Sequence, residues 1–246
     1  MRGVYRIAEK DIEILSVYPD VHRQCAAYRS EASPELCVET TQRDIERERE
    51  RAAREAVREG RAVQEFPLPY LESLAVYRKI AERMPACGTF LLHGSAIAVD
   101  GQGYLFTAKS GTGKSTHARL WRELLGARAV MVNDDKPLIR MTERGAVIHG
   151  TPWRGKEELG GNLSAPLKAV CLLERAAHNH IRAASRAEAY PLLLQQIYRP
   201  ADREAMRQTL ALLDALCTEV KLYRLGCNMD PEAAEIAYHA MEEGKS

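Results

Sequence analysis

Residues 104–116 read YLFTAKSGTGKST, and this stretch decides the fold that the sequence predicts. Residues 104–108 are typical of a β-strand, and residues 114–125 have the apolar spacing of an amphipathic helix. Between the two, residues 108–115 follow the pattern G-x-x-x-x-G-K-[ST], with Ala108 in place of the first glycine. A strand, a glycine-rich turn and a helix in this order predict a loop that binds phosphate groups.

The glycines of this turn have a physical role. Gly111 and Gly113 allow backbone conformations that a side chain would forbid, so successive amides can approach an anion together with the amino end of the helix. Lys114 adds a positive charge against the outer phosphates of a nucleotide, and the Ser115 hydroxyl is a suitable oxygen ligand for Mg²⁺. The alternative is a glycine-rich turn without a ligand. The residues assigned to nucleotide binding are Ser110, Gly111, Thr112, Gly113, Lys114, Ser115 and Thr116.

A hairpin is predicted immediately before the loop. Residues 90–99 are expected to form one strand, Asp100 and Gly101 a tight turn, and residues 102–108 a strand that returns antiparallel to the first. Most phosphate loops follow a parallel strand, whereas this one is expected to follow a hairpin. The arrangement narrows the class of nucleotide-binding fold.

A pair of acidic residues follows the next apolar run. Residues 129–132 are typical of a buried strand, and Asn133, Asp134 and Asp135 come at its carboxyl end, the edge of an open α/β sheet where ligands bind. Adjacent carboxylates are costly there unless they bind a cation or share a proton. We expect one to hold Mg²⁺, directly or through water, and the other to accept the proton of an attacking hydroxyl. The sequence does not say which does which, and a turn with two solvated aspartates is the alternative.

These features occur together in a known family. His93-Gly94, the hairpin, residues 110–115 and the aspartate pair together resemble the catalytic domain of HPr kinase/phosphorylase and its relatives in the phosphoenolpyruvate carboxykinase-like nucleotide-binding superfamily. His93 lies 21 positions before Lys114, in agreement with that pattern. The resemblance covers about residues 90–175. It implies an α/β P-loop core with a mixed sheet, in which an aspartate of the pair is the catalytic base and His93 tunes the pair or holds the acceptor. The alternative for His93 is a strand histidine whose ring bonds a backbone carbonyl.

A second loop carries charges that suit the same chemistry. Residues 150–157 read GTPWRGKE, a Gly- and Pro-punctuated segment of the kind that often carries function. In HPr kinase the corresponding region supplies an acidic and a basic residue to the active site, although its local sequence differs from the one in this chain. The resemblance implies that Glu157 positions metal or water and that Arg154 or Lys156 steadies the transferring phosphoryl group. The alternative is a charged surface loop with a packed Trp153.

Composition excludes several classes of function. The chain of 246 residues has a formal charge of +1, from 35 basic and 34 acidic side chains, so it lacks the field that attracts nucleic acid or an anionic membrane. Its six cysteines include no C-x-x-C pair and no zinc-site spacing, which favours free thiols. No apolar run reaches the ~18 residues that span a bilayer, and the amino terminus does not resemble a signal peptide. We expect a reduced, cytoplasmic protein.

The sequence predicts two regions that meet near residue 66. Residues 1–66 are expected to form an accessory lobe, with three short strands and a solvated charged helix over residues 42–61, and residues 67–246 form the HPr kinase-like catalytic domain. His117, one turn into the helix after the loop, is expected to face solvent. The other predicted elements are a helix at 70–83, a hairpin of 138–141 and 146–149, a strand at 169–174 with a partner at 181–184, helices at 187–198, 202–217 and 231–241, and a strand at 221–225.

Together these features predict an ATP-dependent, Mg²⁺-assisted kinase that transfers the γ-phosphoryl group to a hydroxyl acceptor. The acceptor is a serine of a peptide or protein, or a small hydroxyl compound. The first 85 or so residues do not resemble the usual amino-terminal domain of HPr kinase, which disfavours its carrier protein. A nucleotide-dependent regulatory ATPase is the main alternative, a phosphoenolpyruvate-forming lyase a weaker one, and reverse phosphorolysis stays open. Members of the family are often multimers, which leaves a homo-oligomer open.

Overall fold

The structure is a computed structural model that describes residues 1–58 and 60–243. The chain divides into two compact units, Met1–Arg83 and Met84–Ser246. The boundary predicted from the sequence lies instead between residues 66 and 67. The difference is one helix, Leu68–Arg83, which packs against other elements of the first unit.

The first unit is a three-stranded sheet with helices. Strands β1 (Arg2–Ile7) and β2 (Lys10–Leu15) are antiparallel, and β3 (Leu36–Glu39) is parallel to β2. The charged helix α2 (Gln42–Arg58) buries Ile45 and points most of its charges outward, as predicted. Glu59, within the predicted span of that helix, lies outside the described residues. The other elements are α1 (Asp20–Gln24) and α3 (Leu68–Arg83).

The second unit is a mixed sheet of nine strands with helices on both faces. The sheet has the order β4-β8-β9-β10-β6-β5-β7, and β12 pairs with both β10 and β11. The elements are β4 (Thr89–Leu91), β5 (Ser95–Val99), β6 (Gln102–Thr107), α4 (Lys114–Leu125), β7 (Ala129–Asn133), β8 (Leu138–Thr142), β9 (Gly145–His149), β10 (Ser164–Arg175), β11 (His180–Ala183), α5 (Arg186–Leu193), α6 (Arg203–Glu219), β12 (Lys221–Cys227) and α7 (Glu232–Glu243). The predicted mixed α/β class is confirmed.

The strand directions bring several chain segments to one edge. Strand β5 is antiparallel to both β6 and β7, so β6 and β7 point the same way, and β10 is parallel to both β6 and β12. The carboxyl ends of β6, β7, β10 and β12 therefore lie at one edge, together with the start of β5. The glycine-rich loop and the aspartate pair both follow strands that end there.

Two apolar clusters fix the helices on the sheet. One lies under α5 and α6, and the other under α4 and α7. Trp121 of α4 is fully buried, with ring centroids 5.1 Å from Tyr104, 5.0 Å from Phe106 and 5.5 Å from Tyr238. Truncation of a buried tryptophan costs about 3–5 kcal/mol. This packing holds the amino end of α4, and with it the glycine-rich loop, in place.

Two strand predictions were wrong. Residues 90–99 form two strands, because residues 92–94 leave the sheet path: the His93 amide donates to the Gln196 carbonyl at 2.9 Å, and β4 pairs with β8 instead of β6. Residues 181–184 do not pair with β10, because β12 occupies that edge and β11 pairs with β12. Helix α5 is also shorter than predicted, and Ile197 forms a bridge with Leu92.

Two further observations concern the chain as a whole. Within the described residues, no helix combines the length and apolarity needed to cross a lipid bilayer. All six cysteines are free thiols.

Candidate functional site

The glycine-rich loop connects β6 to α4. Gly111 and Gly113 have φ angles of 77° and 122°, values that residues with a side chain rarely adopt. Gly113 is the N-cap of α4 and no side chain caps the helix there, so the first amides of α4 are available to a ligand. Ser115, in the first turn, is exposed. The loop therefore has the backbone form and the positive helix end that an anion requires.

Lys114 lies within the curve of this loop. Its Nζ donates to the carbonyls of Ala108 at 3.1 Å and Lys109 at 3.4 Å. Burial lowers the pKa of Lys114, and the nearby charge of Asp135 partly offsets that effect. The charges of Lys114 and Asp135 therefore interact, although Lys114 begins α4 and Asp135 follows β7.

Asp135 is held by two basic side chains. The His93 ring donates through Nε2 to the Asp135 carboxylate at 3.1 Å, and the Lys136 ammonium forms an ion pair with the same carboxylate. Burial raises the pKa of Asp135, but the hydrogen bond from His93 and the charge of Lys136 outweigh it and bring the pKa to about 2. Asp135 is therefore an anion at neutral pH, surrounded by His93, Lys136 and Lys114.

Asp134 faces a different partner. It is buried, and the Gly155 amide donates to its carboxylate at 2.5 Å. A Cβ at position 155 would lie 2.7 Å from both carboxylate oxygens, so this approach requires glycine. Burial raises the pKa of Asp134, the Gly155 amide lowers it, and the charges of Asp135 and Glu157 raise it again. The two aspartates therefore have different surroundings and opposite pKa shifts.

Asn133 holds the turn that follows β7, a role that was not predicted for it. It is fully buried, and its Oδ1 accepts from the amides of Asp135 at 2.9 Å and Lys136 at 2.6 Å. Its Nδ2 lies 3.2 Å from the Thr151 carbonyl and from the Trp153 carbonyl. Asparagine side chains commonly accept a hydrogen bond from the backbone amide two residues further along the chain. An asparagine directly before the aspartate pair was therefore the available signal for this role.

We expect Asn133→Ala to lower the free energy of unfolding by about 2–3 kcal/mol, because it leaves several buried backbone groups without a partner. Urea denaturation of the wild type and the variant measures this. Asn133→Asp is the matched comparison, since its carboxylate keeps the oxygen that accepts the two backbone amides and lacks the two N–H donors of Nδ2. A loss below about 0.5 kcal/mol in Asn133→Ala would show that the loop does not depend on this side chain.

The loop of residues 150–160 contributes unequally to the site. The Arg154 guanidinium donates to the carbonyls of Glu158 at 2.8 Å and Gly160 at 3.1 Å, so it closes the loop on itself. Glu157 and Lys156 are exposed, and the Glu157 charge reaches Asp134. Trp153 is buried, which agrees with the packed indole of the alternative interpretation. The predicted contacts of Arg154, Lys156 and Glu157 with phosphate or metal stay predictions.

His117 does not face solvent, so that expectation was wrong. Its side chain is buried, and its Nε2 accepts a hydrogen bond from Trp121 Nε1 at 3.1 Å. The ring also packs edge-on against Phe106, with centroids 4.7 Å apart. Burial lowers the pKa of His117 to about 4 from its ordinary 6.5. The cause is the position of His117 one turn before Trp121, on the face of α4 that packs on the sheet.

This burial predicts a pH dependence of stability. Because the unfolded chain binds a proton at His117 between pH 6.5 and about 4 and the folded chain does not, acidification through that window favours unfolding. The neutral, buried His117 contributes ~3 kcal/mol to the free energy of unfolding above pH 6.5, and this contribution is lost as the pH falls towards 4. Urea denaturation in metal-free buffer at both ends of the window, for the wild type and His117→Gln, measures it. Equal pH slopes in the two proteins would contradict the prediction.

Residues on the far side of the loop also belong to this edge, and they were not predicted. Arg175, the last residue of β10, donates to the Gly111 carbonyl at 2.5 Å. Two cavities flank the loop, one of about 480 Å³ beside Thr116 and His117 and one of about 260 Å³ beside β10, and Thr112 and Arg175 line both. In the sequence, Arg175 is a basic residue at the carboxyl end of a buried strand, and this position was the available signal for a place near the ligand.

The oxygen donors at this edge fit Mg²⁺. The ion prefers hydroxyl and carboxylate oxygens, and beside a polyphosphate it uses one or two protein ligands with water and phosphate oxygens. Ser115 and the aspartate pair offer such donors. Across residues 1–58 and 60–243, no group of three or more His, Cys, Asp or Glu side chains forms a metal site by itself.

The chain can be compared with known proteins by fold and by sequence. A solved structure described as the Hpr(Ser) kinase/phosphatase from Coxiella burnetii has a TM-score of 0.37 and 10% sequence identity, over 63% of this chain and 99% of that chain. No curated protein sequence matches the chain significantly. The family described as SynChlorMet cassette protein ScmC matches residues 70–228. Because that match covers more than half of the chain, the protein belongs to the ScmC family.

Proposed function

We propose that the chain is an ATP-dependent, Mg²⁺-assisted phosphotransferase that acts on a hydroxyl acceptor. One observation carries the proposal: a glycine-rich loop with a buried lysine lies beside an ionised aspartate that is paired with a histidine. A polyphosphate-binding loop needs only amides and a cation. The carboxylate adjacent to Lys114 adds what phosphoryl transfer to an alcohol requires, a proton acceptor close to the transferred group.

The donor is bound by the loop and α4. The backbone amides of residues 110–116 and the amino end of α4 hold the phosphates, and Lys114 exchanges its two carbonyl contacts for oxygens of the β- and γ-phosphates. Binding has a modest cost, because Gly111 and Gly113 already have the required backbone angles. Ser115 and Asp134 would hold Mg²⁺, which would supply positive charge against the charge that develops on the phosphate oxygens.

Asp135 accepts the proton of the acceptor. The acceptor oxygen forms a bond to the γ-phosphorus, the bond from that phosphorus to the bridging oxygen breaks with its electron pair leaving on ADP, and the hydroxyl proton moves to the Asp135 carboxylate. His93 keeps that carboxylate oriented through its Nε2 contact. A pKa of about 2 describes the free site, and the negative charge of a bound triphosphate raises it towards that of a working base.

Asp134 and the second loop support the reacting groups. Asp134 joins the loop to the end of β7 through the Gly155 amide, and Arg154 keeps the loop closed. In this arrangement Glu157 orients water or metal beside Asp134, and Lys156 reaches the transferring group from the exposed side of the loop. These roles agree with what the family resemblance implies for an acidic and a basic residue.

Transfer of label tests the function. The protein is incubated with γ-labelled ATP, Mg²⁺ and a fractionated pool of peptides and small alcohols, and the labelled products are separated. We expect label in an alcohol phosphate. If ADP and inorganic phosphate form and no acceptor takes up label, the chain is a regulatory ATPase and the proposal is wrong.

A further inference from the structure

The cavity of about 480 Å³ beside α4 has no role in the steps described so far, and we name it the α4 cavity. One of its walls is the glycine-rich loop with the first turns of α4, and the other is the chain that follows β10 and β12. The wall residues include Thr116, His117, Leu120, Ala176, Asn228 and Met229. The volume lies within the roughly 300–1,000 Å³ that is usual for small-molecule sites, so the cavity has room for a nucleoside.

The order of the strands places the α4 cavity on the side of the loop away from the aspartates. Strands β5 and β7 lie on one side of β6, and β10 and β12 lie on the other. Asp135 follows β7, whereas Ala176 and Met229 follow β10 and β12. Gly113 and Thr116 line the cavity, so it begins at the loop itself. A triphosphate on the loop with its γ-phosphate towards Asp135 therefore has its nucleoside end towards this cavity.

Apolar side chains contribute to both walls of the cavity. Leu120 lies on the α4 wall, and Ala176, Cys227 and Met229 lie on the other. Met229 is 77% exposed, so a flat ligand that covers it removes apolar surface from water. Methionine adapts to rings of different shape, and its sulfur gains about 0.3–1.5 kcal/mol from contact with an aromatic ring. The cavity therefore suits an aromatic group, and the base is the aromatic part of a nucleotide.

The polar groups on the β12 side are already hydrogen-bonded within the protein. Asn228 Oδ1 accepts from the Asp230 amide at 2.9 Å, and Asn228 Nδ2 donates to the Asp230 carboxylate at 2.7 Å. The Asn228 amide donates to Asn179 Oδ1 at 2.9 Å. The Cys227 carbonyl accepts from the Ala176 amide at 3.0 Å. This wall therefore recognises the hydrogen-bonding edge of a base weakly.

The side chains of the α4 wall do not compensate for this. The His117 ring is buried, and its Nε2 already accepts the hydrogen bond from Trp121. Thr116 lies next to Ser115, at the phosphate end of the cavity. A mainly apolar pocket discriminates weakly between ligands that differ in a polar substituent, whereas a site that bonds such a group discriminates by about 10⁴–10⁵-fold. Adenine and guanine, which differ in the substituents of the six-membered ring, should therefore bind alike.

We propose that the α4 cavity binds the nucleoside of the donor nucleotide and that it holds the base by apolar contact without recognising its polar edge. ATP and GTP then serve equally as phosphoryl donors. The inference rests on the proposed function, which assigns the phosphates to the loop and leaves the rest of the nucleotide without a site. Leu120 and Met229 are the side chains that contact the base, and Met229 covers it from the exposed side.

The phosphoryl acceptor also fits a cavity of this size, but the position of the cavity does not suit it. The acceptor hydroxyl must reach the γ-phosphorus beside Asp135, and Asp135 follows β7 on the opposite side of β6. The bound phosphates lie between that point and the α4 cavity. The nucleoside, which is attached to the α-phosphate, is the part of the reacting molecules that lies on this side.

Titration calorimetry of the full chain with Mg²⁺ tests the inference on three ligands. They are the β,γ-imido analogues of ATP and GTP and inorganic tripolyphosphate, which has the phosphates and no nucleoside. We expect Kd values for the two nucleotides within about 10-fold of each other. Tripolyphosphate should bind at least ~10-fold more weakly than either, although it carries more negative charge, because it forms no apolar contact in the cavity.

Two variants test whether the nucleoside lies in the α4 cavity. Met229→Ala should raise Kd for both nucleotides by about 5-fold, and Ala176→Phe, which fills the cavity, by about 10-fold or more. Neither should change Kd for tripolyphosphate by more than about 2-fold, and that value also shows that the loop of each variant is folded. Leu124→Ala is the matched control, because Leu124 is an exposed apolar residue of α4 outside the cavity.

Three results would overturn the inference. A tripolyphosphate Kd within about 10-fold of both nucleotides would show that the protein has no site for a nucleoside. A larger than about 10-fold preference for one nucleotide would show that the polar groups of the base are recognised. Unchanged nucleotide binding in Ala176→Phe would place the nucleoside elsewhere.

Failure of the proposed function has a different signature. If the nucleotides bind as expected and neither γ-labelled ATP nor γ-labelled GTP labels an alcohol, the phosphotransferase assignment is wrong and the nucleoside site stands. If Lys114→Ala binds tripolyphosphate as the wild type does, the loop does not hold the phosphates, and both proposals fail.

Discussion

Lys114→Ala is expected to reduce phosphoryl transfer by about 10²–10³-fold and to weaken ATP binding, because it removes the charge that faces the outer phosphates. Lys114 is the buried cation of the loop, where Coulomb interactions are stronger than in water. Its two contacts in the free protein are backbone carbonyls, so the variant leaves no buried charge without a partner. Calorimetric titration with ATP and measurement of initial transfer rates check both effects.

Arg119→Ala is the control for that experiment. Arg119 is an exposed cation on the same helix, paired with Glu123 at 2.6 Å, and such surface pairs contribute about 0–1 kcal/mol. We expect this variant to bind ATP and transfer phosphate as the wild type does. Unchanged ATP affinity and transfer rate in Lys114→Ala would show that the glycine-rich loop is a structural turn.

Asp135→Asn is expected to reduce transfer by about 10³-fold while ATP binding is retained, since removal of a general base costs 10²–10⁴-fold in rate. The amide keeps the shape of the carboxylate and loses its charge and its ability to accept the proton. ATP affinity should stay the same or rise, because the variant removes a negative charge from the neighbourhood of Lys114 and the phosphates. Single-turnover rates and ATP titrations separate the two effects.

Two further variants show whether Asp135 acts with His93. His93→Gln should lose less, about 10-fold, and in the Asp135→Asn background it should lose nothing more, because the histidine acts through the carboxylate. Asp134→Asn should also cut transfer severely and change its dependence on Mg²⁺ concentration. Asp214→Asn, at an exposed ion pair with Arg186, is the control. Full activity in Asp135→Asn would show that Asp135 is not the general base.

The features predicted well from the sequence are local ones. The hairpin of β5 and β6 follows from Asp100 and Gly101, which both have positive φ angles in the structure, at 48° and 82°. The turn before α4 follows from its glycines, and the aspartate pair from its place after an apolar run. In each case a few adjacent residues determine the backbone, so their pattern is sufficient.

The features missed depend on distant residues. The break at residues 92–94 depends on a hydrogen bond from His93 to Gln196, more than a hundred positions away. The contact of Arg175 with the glycine-rich loop appears only when β10 lies beside β6. His117 is buried because it packs against Trp121 and Phe106. The sequence pattern alone does not indicate whether a histidine in the first turn of a helix is buried or exposed. Tertiary pairing is what the one-dimensional pattern does not contain.

The central claim is that Lys114 and the glycine-rich loop hold a triphosphate with its terminal group facing Asp135. A crystal structure with Mg²⁺ and a non-hydrolysable ATP analogue tests it directly. We predict the phosphates against the amides of residues 110–116, with room for one hydroxyl oxygen about 3 Å from both the γ-phosphorus and the Asp135 carboxylate. A triphosphate bound away from this loop, or an Asp135 carboxylate on the far side of the sheet edge from the γ-phosphate, would contradict it.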